Sequence, residues 1–217
     1  MITFVTGTDT GVGKTIASAW LVAAARAAGR SVRYAKPVQT GLAPGEHGSD
    51  ADFVRAATGA ECEELLRLTE PLAPAVAAER ADTTIDADRL VSALQERAKD
   101  CDELVVEGAG GLLVPLDEGW TMADLAGALG AQVVVVTRPG LGTLNHTALT
   151  LEAAGRRGLL VAGLVVCGWP VKPGITEQTN LERLAAMAPI LHTIPFLPGV
   201  SVERSEPGPL RDLLAQV

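Results

Sequence analysis

The chain has 217 residues, a formal net charge of −8, 47% hydrophobic residues and only 3% aromatics. That length fits one α/β domain with a substantial core, and the apolar fraction excludes a disordered or low-complexity chain. Nonspecific nucleic-acid binding needs Lys and Arg against phosphates and rings for base stacking, so the charge and the scarcity of aromatics argue against it.

Cys62, Cys101 and Cys167 are scattered with no C-x-x-C pair, and His47, His146 and His192 are equally dispersed. Neither a disulfide framework nor a zinc cluster is expected. Met1 runs at once into Ile2-Thr3-Phe4-Val5-Thr6 with no basic leader. The longest uncharged apolar stretch, Leu159 to Val171, contains Gly163, Gly168 and Pro170. It falls short of the ~20 residues a membrane span requires, so a soluble, cytoplasmic protein is expected.

Strand and helix signals alternate along the chain. Ile2–Thr6 reads as a buried strand, followed by a glycine-rich turn and an Ala-rich helix from Lys14 to Ala28 that Gly29 stops. Ser31–Ala35 is the next strand, closed by Lys36-Pro37, and residues 37–48 read as a loop from their glycines and prolines. Asp50–Thr58 reads as a short helix ahead of Gly59, and residues 69–82, with Pro71 and Pro74, as irregular. Asp86–Lys99 is amphipathic, with Leu90, Val91 and Leu94 on one side. Leu104–Val106, Val133–Val136, Leu159–Val166 and Leu191–Ile194 are further strands. Runs apolar on both faces belong to parallel strands covered by helices on both sides. The expectation is a single doubly wound, mostly parallel α/β domain over residues 1–217, with no repeat and no linker.

The strongest local signal is Gly7-Thr8-Asp9-Thr10-Gly11-Val12-Gly13-Lys14-Thr15, between the first strand and the first helix. Glycines let backbone N–H groups curl around phosphate oxygens, and the helix N-terminus adds partial positive charge. Lys14 would reach the β- and γ-phosphates and the Thr15 hydroxyl would ligate Mg²⁺. The pattern G-x-x-x-x-G-K-[ST] places glycine at position 8, where this chain has Thr8. Glu107 follows a buried strand and precedes Gly108-Ala109-Gly110-Gly111, so its carboxylate is a candidate for the metal. Asp50 is either a third ligand or a plain helix-start acid beside Asp52. Lys36 is either a solvated strand-end lysine or a fixed cation at the ligand edge of the sheet.

Four ordered motifs carry a resemblance to a known family. They are the glycine-rich run with its lysine, Lys36-Pro37-Val38-Gln39-Thr40-Gly41, Val106-Glu107-Gly108-Ala109-Gly110-Gly111, and Leu141-Gly142-Thr143-Leu144-Asn145-His146. In this order they resemble the dethiobiotin synthetases. The resemblance implies an ATP- and Mg²⁺-dependent ligase of biotin synthesis that joins CO₂ to 7,8-diaminopelargonic acid. One substrate amine takes up CO₂ as a carbamate, the carbamate oxygen takes the γ-phosphoryl, and the second amine closes the ring and expels phosphate. By the same resemblance Thr15, Asp50 and Glu107 hold the metal, and Lys14 and Lys36 are catalytic cations. The nucleotide is met by Gly11, Val12, Gly13, Lys14, Thr15, Ile16, Asp50 and Glu107, by Gly108, Ala109 and Gly110, and by Cys167, Gly168, Pro195, Phe196 and Leu197 around the base. Thr10, Lys36, Thr40 and Gly110 face the diamine and its carbamate. Leu141, Gly142, Thr143, Leu144 and Asn145 bind the distal carboxylate in a pocket given to the partner of a homodimer.

One position departs from that family. Its members often carry Asn-Asp where this chain has Cys167-Gly168, and a thiol cannot reproduce an amide's paired donor and acceptor. Relaxed selectivity for the nucleotide base is therefore expected. Two other classes share parts of the pattern. Nucleotide-switch ATPases of the partitioning and cell-division type carry a lysine near the start of the phosphate loop, where this chain has Thr8, Asp9 and Thr10. Cobyrinate-type amidating ligases need a glutamine-hydrolysing domain for which no length remains.

Overall fold

A computed structural model describes residues 1–216. Nine strands and eight helices follow one another among the described residues. Strands β1 (Ile2–Gly7), β2 (Val32–Thr40), β3 (Glu61–Leu68), β4 (Glu103–Gly111), β7 (Gln132–Thr137), β8 (Leu160–Trp169) and β9 (Ile190–Pro195) form one sheet in the order β3-β2-β4-β1-β7-β8-β9. All six neighbouring pairs are parallel. A two-stranded antiparallel ribbon of β5 (Pro115–Asp117) and β6 (Trp120–Thr121) lies apart from it. The fold is α/β.

Side chains alternate between the two faces of a strand, and here both faces are dry. Phe4, Leu104, Val106, Val133, Val135, Leu164 and Val166 belong to one core, with Leu94, Leu125 and Leu184 from α4 (Ala87–Ala98), α5 (Met122–Ala128) and α7 (Ile175–Met187). Val5, Val105, Val134, Val136 and Val165 belong to the other. They meet Ala17 and Val22 of α1 (Lys14–Ala27), Phe53 of α2 (Asp50–Thr58) and Leu210 of α8 (Pro209–Leu214). Continuous apolar runs in the central strands follow from that double burial.

Local chemistry sets the helix starts. Ser49 accepts from the Asp52 N–H ahead of α2, Asp86 accepts from the Arg89 N–H ahead of α4, and Thr121 with Asp124 forms a reciprocal cap on α5. Gly59 ends α2 in the left-handed conformation.

The structure corrects the sequence reading in three places. Strand β2 does not end at Lys36-Pro37 but continues to Thr40 along β3. Its pairing with β4 stops at Ala35, so the proline that lacks an N–H lies where one flank of the strand is open. Strand β4 likewise runs through Glu107 to Gly111, so Glu107 stands inside the strand rather than after it. Residues 69–82 are not irregular throughout, because Pro74 opens α3 (Pro74–Arg80), where a first-turn proline costs no hydrogen bond.

Candidate active site

The C-terminal ends of β1, β2 and β4 open onto one cavity of about 500 Å³. Its walls include Thr10, Gly11, Gly13, Lys14, Thr15 and Ile16 from the glycine-rich turn, Lys36 and Thr40 from β2, Asp50 from α2, and Glu107, Ala109 and Gly110 from β4. Twelve of the residues singled out from the sequence therefore meet in one space. A neighbouring cavity of about 320 Å³ shares Thr10, Thr40, Ala109 and Gly110 with it and adds an apolar wall from Pro71 to Pro74 and Val114.

The turn is built for close approach. A Cβ on Gly7 would stand 2.7 Å from the Asp9 carbonyl oxygen and 3.2 Å from Lys14 Nζ. Gly13 has φ +97, and a Cβ there would reach 2.4 Å from Cys167 Sγ. Glycine is thus required one residue before the position the general pattern marks, and again directly before Lys14. The Lys14 ammonium donates to the Asp9 carbonyl at 3.2 Å. Burial holds its pKa below the ordinary 10.5, against the opposing pull of Glu107.

Lys36 is not a solvated strand-end lysine. It is 4% exposed. Its ammonium lies 2.6 Å from Asp50 Oδ2 and 2.9 Å from Glu107 Oε1, and it donates to the Gly108 carbonyl at 3.1 Å. Burial acts to lower its pKa, but the two carboxylates outweigh burial and raise it. Asp50 shows the converse, since burial would raise its pKa and the Lys36 charge and hydrogen bond bring it below 3.8.

Glu107 is held from both sides. Its Oε2 accepts from Ser18 and from Tyr34, each at 2.9 Å, while Oε1 faces Lys36 and Thr15. Burial and the nearby Glu107 charge raise the Tyr34 phenol well above its usual value, so Tyr34 stays a donor. Neither Ser18 nor Tyr34 was singled out from the sequence, and no local pattern marks them. Gln39, whose side-chain oxygen accepts the Asp50 N–H at 3.2 Å, lies inside the Lys36–Gly41 motif but was given no role there. Val202 and Glu203 also border the cavity from a distant part of the chain.

The oxygens around Thr15 fit a hard cation. Its hydroxyl lies 2.7 Å from Asp50 Oδ1 and 3.1 Å from Glu107 Oε1. One hydroxyl proton serves one carboxylate at a time, so the Thr15 oxygen keeps a lone pair facing the other carboxylate, and the three oxygens converge as donors to a cation would. Among the described residues no cluster of three or more His, Cys, Asp or Glu could hold a metal ion. Two carboxylates and a hydroxyl form the sparse protein ligation that suits Mg²⁺, which keeps several waters.

The remaining predicted residues lie elsewhere. Val12 is buried beneath the turn, and Gly108 packs under the Phe4 ring, 3.1 Å from where a Cβ would be. Cys167 is buried against Gly13, and Gly168, Pro195, Phe196 and Leu197 follow at the ends of β8 and β9 without lining the main cavity. Leu141–Asn145 opens α6 (Thr143–Arg156), with Leu141 91% exposed, and no residue of that segment lines the cavity.

A parallel sheet whose first strand feeds a phosphate-binding turn and a helix, with a lysine and a hydroxyl at the helix start, defines a P-loop nucleoside-triphosphatase fold. A family model described as an AAA domain matches residues 3–204. Solved structures agree on the fold. A ParA-family ATPase from Chlorobium tepidum TLS superposes with a TM-score of 0.64 over 99% of this chain and 96% of its own, at 13% identity. The MinC:MinD cell division complex of Aquifex aeolicus gives 0.62 over 98% and 92%, at 15% identity. The sequence relatives are far closer. The chain is 49% identical over 193 residues to the ATP-dependent dethiobiotin synthetase of Mycobacterium avium (strain 104), covering 88% of this chain and 85% of that one. It is also 50% identical over 187 residues to the corresponding protein of Frankia casuarinae, covering 85% and 78%. The chain belongs to the dethiobiotin synthetase family.

Proposed function

We propose that this chain is an ATP-dependent dethiobiotin synthetase, a ligase that joins CO₂ to a vicinal diamine carboxylate and closes the cyclic urea. The observation that carries the reading is the shared cavity of about 500 Å³, in which the loop lysine and the buried Lys36 face one space. A carbamate is anionic and a weak nucleophile, so cations must screen it from the triphosphate before the γ-phosphoryl can pass across.

Each side chain has a distinct task. Lys14 and the N–H groups of Gly11 to Thr15 bind the β- and γ-phosphates. Lys36, locked by Asp50 and Glu107, stands as a fixed cation toward the carbamate, with Thr10 and Thr40 orienting the diamine. Thr15, Asp50 and Glu107 would hold Mg²⁺, which when bound would neutralise charge on the phosphate oxygens. Tyr34 and Ser18 keep Glu107 aimed at that set. The apolar wall of Pro71, Leu72 and Pro74 covers the hydrocarbon part of the substrate and keeps water from the activated carbamate. Cys167, Gly168 and Pro195–Leu197 form the base region.

The distal carboxylate is met by the start of α6 from a second copy of the chain, which makes the enzyme a homodimer. Leu113 and Leu149, 47% and 57% exposed, border a cavity of about 420 Å³ that also touches Thr10, so an apolar surface awaiting cover adjoins the reaction space. A solution mass of one 22.4 kDa chain would remove the dimer. The cytoplasm is the proposed compartment. Three unpaired cysteines and the absence, among the described residues, of a helix long and apolar enough to cross a membrane are consistent with it.

The switch-ATPase alternative has only distant likeness in its favour, at 13–19% identity. Incubation with the diamine, labelled bicarbonate and Mg-ATP tests the two readings against each other. Label in an acid-stable cyclic urea is the expected result. ATP hydrolysis indifferent to the diamine overturns it.

A further inference from the structure

Thr8 occupies the place where the general phosphate-loop pattern has glycine, and the structure gives its side chain a partner. The Thr8 hydroxyl donates to Thr137 Oγ1 at 3.4 Å, and the Thr8 N–H donates to the Val136 carbonyl at 2.9 Å. Thr137 ends β7, and its hydroxyl oxygen also lies 2.6 Å from Thr143 Oγ1 and 3.1 Å from Thr147 Oγ1. Thr143 is the first residue of α6, and Thr147 stands one turn further along it. Thr137 and Thr147 are fully buried and Thr143 almost so.

A hydroxyl donates one hydrogen bond and accepts two. Thr137 therefore has no capacity left. It accepts from Thr8, and between Thr143 and Thr147 it donates to one and accepts from the other. Three of the four hydroxyls are buried and Thr8 is half-buried, and Thr137 is the member they share, so turning it away takes a partner from all three others at once. The oxygen joins the phosphate loop, the tip of the central strand β7 and the start of α6.

We infer that Thr137 is a positioning residue that holds the phosphate loop and the start of α6 as one unit, so that triphosphate and carboxylate recognition depend on a single buried hydrogen-bond hub. This rests on the proposed role of Leu141–Asn145 toward the substrate carboxylate. Since that segment serves the partner's site, the hub stands between a subunit's own nucleotide and the diamine bound opposite.

Steady-state kinetics on the intact enzyme test the hub. Thr137→Val keeps the side-chain shape and removes the hydroxyl. It is expected to raise KM for both ATP and the diamine by about five- to tenfold, the loss of one hydrogen bond's worth of order, with kcat within about twofold. Thr137→Ser is expected to return both constants to the parent values. Adding Thr8→Val to Thr137→Val is expected to cost nothing further in KM for ATP, since both act through the same bond. Both KM values within about twofold of the parent, or a rise confined to one substrate, overturn the hub. Asn145→Ala, measured alongside, separates the two levels of inference. An unchanged diamine KM in that variant removes the carboxylate role itself, whereas a rise there with Thr137→Val at parent values removes only the hub. Should Thr137→Val fail to fold, Thr8→Val at the half-buried end of the network gives the same readout for both substrates.

Discussion

The ammonium of Lys36 lies 2.6 Å from Oδ2 of Asp50, in a site from which the lysine is almost wholly withheld from water. That contact fixes the cation at one point instead of leaving it on a mobile four-carbon stem. It also balances charge, since Lys14 and Lys36 offset Asp50 and Glu107 before any nucleotide arrives. A bound triphosphate then brings negative charge that the protein alone does not neutralise, which is the need a divalent cation fills.

Removing the fixed cation is expected to have a large kinetic effect. Lys36→Ala is expected to lower kcat by about a hundredfold or more while nucleotide affinity stays within about tenfold of the parent. Equilibrium binding of a fluorescent ATP analogue, set beside turnover, makes the comparison. Near-normal turnover would return Lys36 to a structural role.

The same pair sets a pH dependence. A carboxylate held below its unfolded value adds stability that is complete above pH 3.8 and lost as pH falls through the lower folded value. The raised Lys36 adds stability that is complete below 10.5 and lost as pH rises through its folded value. Across neutral pH the parent pair therefore contributes a constant amount. In Lys36→Met the burial of Asp50 loses its largest opponent and meets only the Thr15 hydrogen bond and the Lys14 charge, so its pKa is expected to rise above 3.8 and the variant to lose stability as pH rises. The stability gap between parent and variant, measured by urea unfolding, is expected to widen by about 1–3 kcal/mol from about pH 4 to pH 7. A gap that stays level or narrows would contradict the assignment.

The proposed base region around Cys167 predicts relaxed base selectivity. Burial lifts its thiol to about 11, so it remains a neutral, weak donor, and its sulfur is packed against Gly13. Residue 167 therefore offers a base no paired amide donor and acceptor. Initial rates with ATP, CTP and GTP are expected to give kcat/KM values within about tenfold of one another. A preference for ATP beyond about a hundredfold would show that backbone groups near Gly168 or Leu197 suffice to read adenine.

Gly13→Ala probes the turn itself. The substitution meets both a left-handed φ of +97 and the Cys167 sulfur at 2.4 Å. Loss of nucleotide binding is expected, together with a destabilisation of about 1–3 kcal/mol. Adding Cys167→Ala relieves the contact but not the backbone strain, so thermal unfolding should recover only in part. Full recovery would mean that φ at residue 13 matters little.

The phosphate loop and the doubly wound parallel sheet were legible in the amino-acid sequence because both are written locally. Glycine spacing and a following lysine need no distant partner, and the apolar runs of β1, β4 and β7 report burial on two faces. Edge and surface elements were less legible. Strand β3, ECEELLRL, is paired on one side only, so its charges are tolerated and mask the strand pattern. Helix α7 buries only Asn180 and Leu184, leaving a weak apolar stripe.

The sequence by itself determined a glycine-rich turn with its lysine at the start of α1, and the family resemblance added the acids and Lys36 as its expected companions. Only the tertiary structure decided what each of those groups touches. Lys36 reaches Glu107 across 71 residues, Thr15 reaches it across 92, and Thr8 finds Thr137 across 129. Such contacts depend on the register of neighbouring strands, because a shift of one residue turns every side chain to the opposite face. No short stretch of sequence carries that register. It is set when β2, β4, β1 and β7 lie side by side and both of their faces are buried at once.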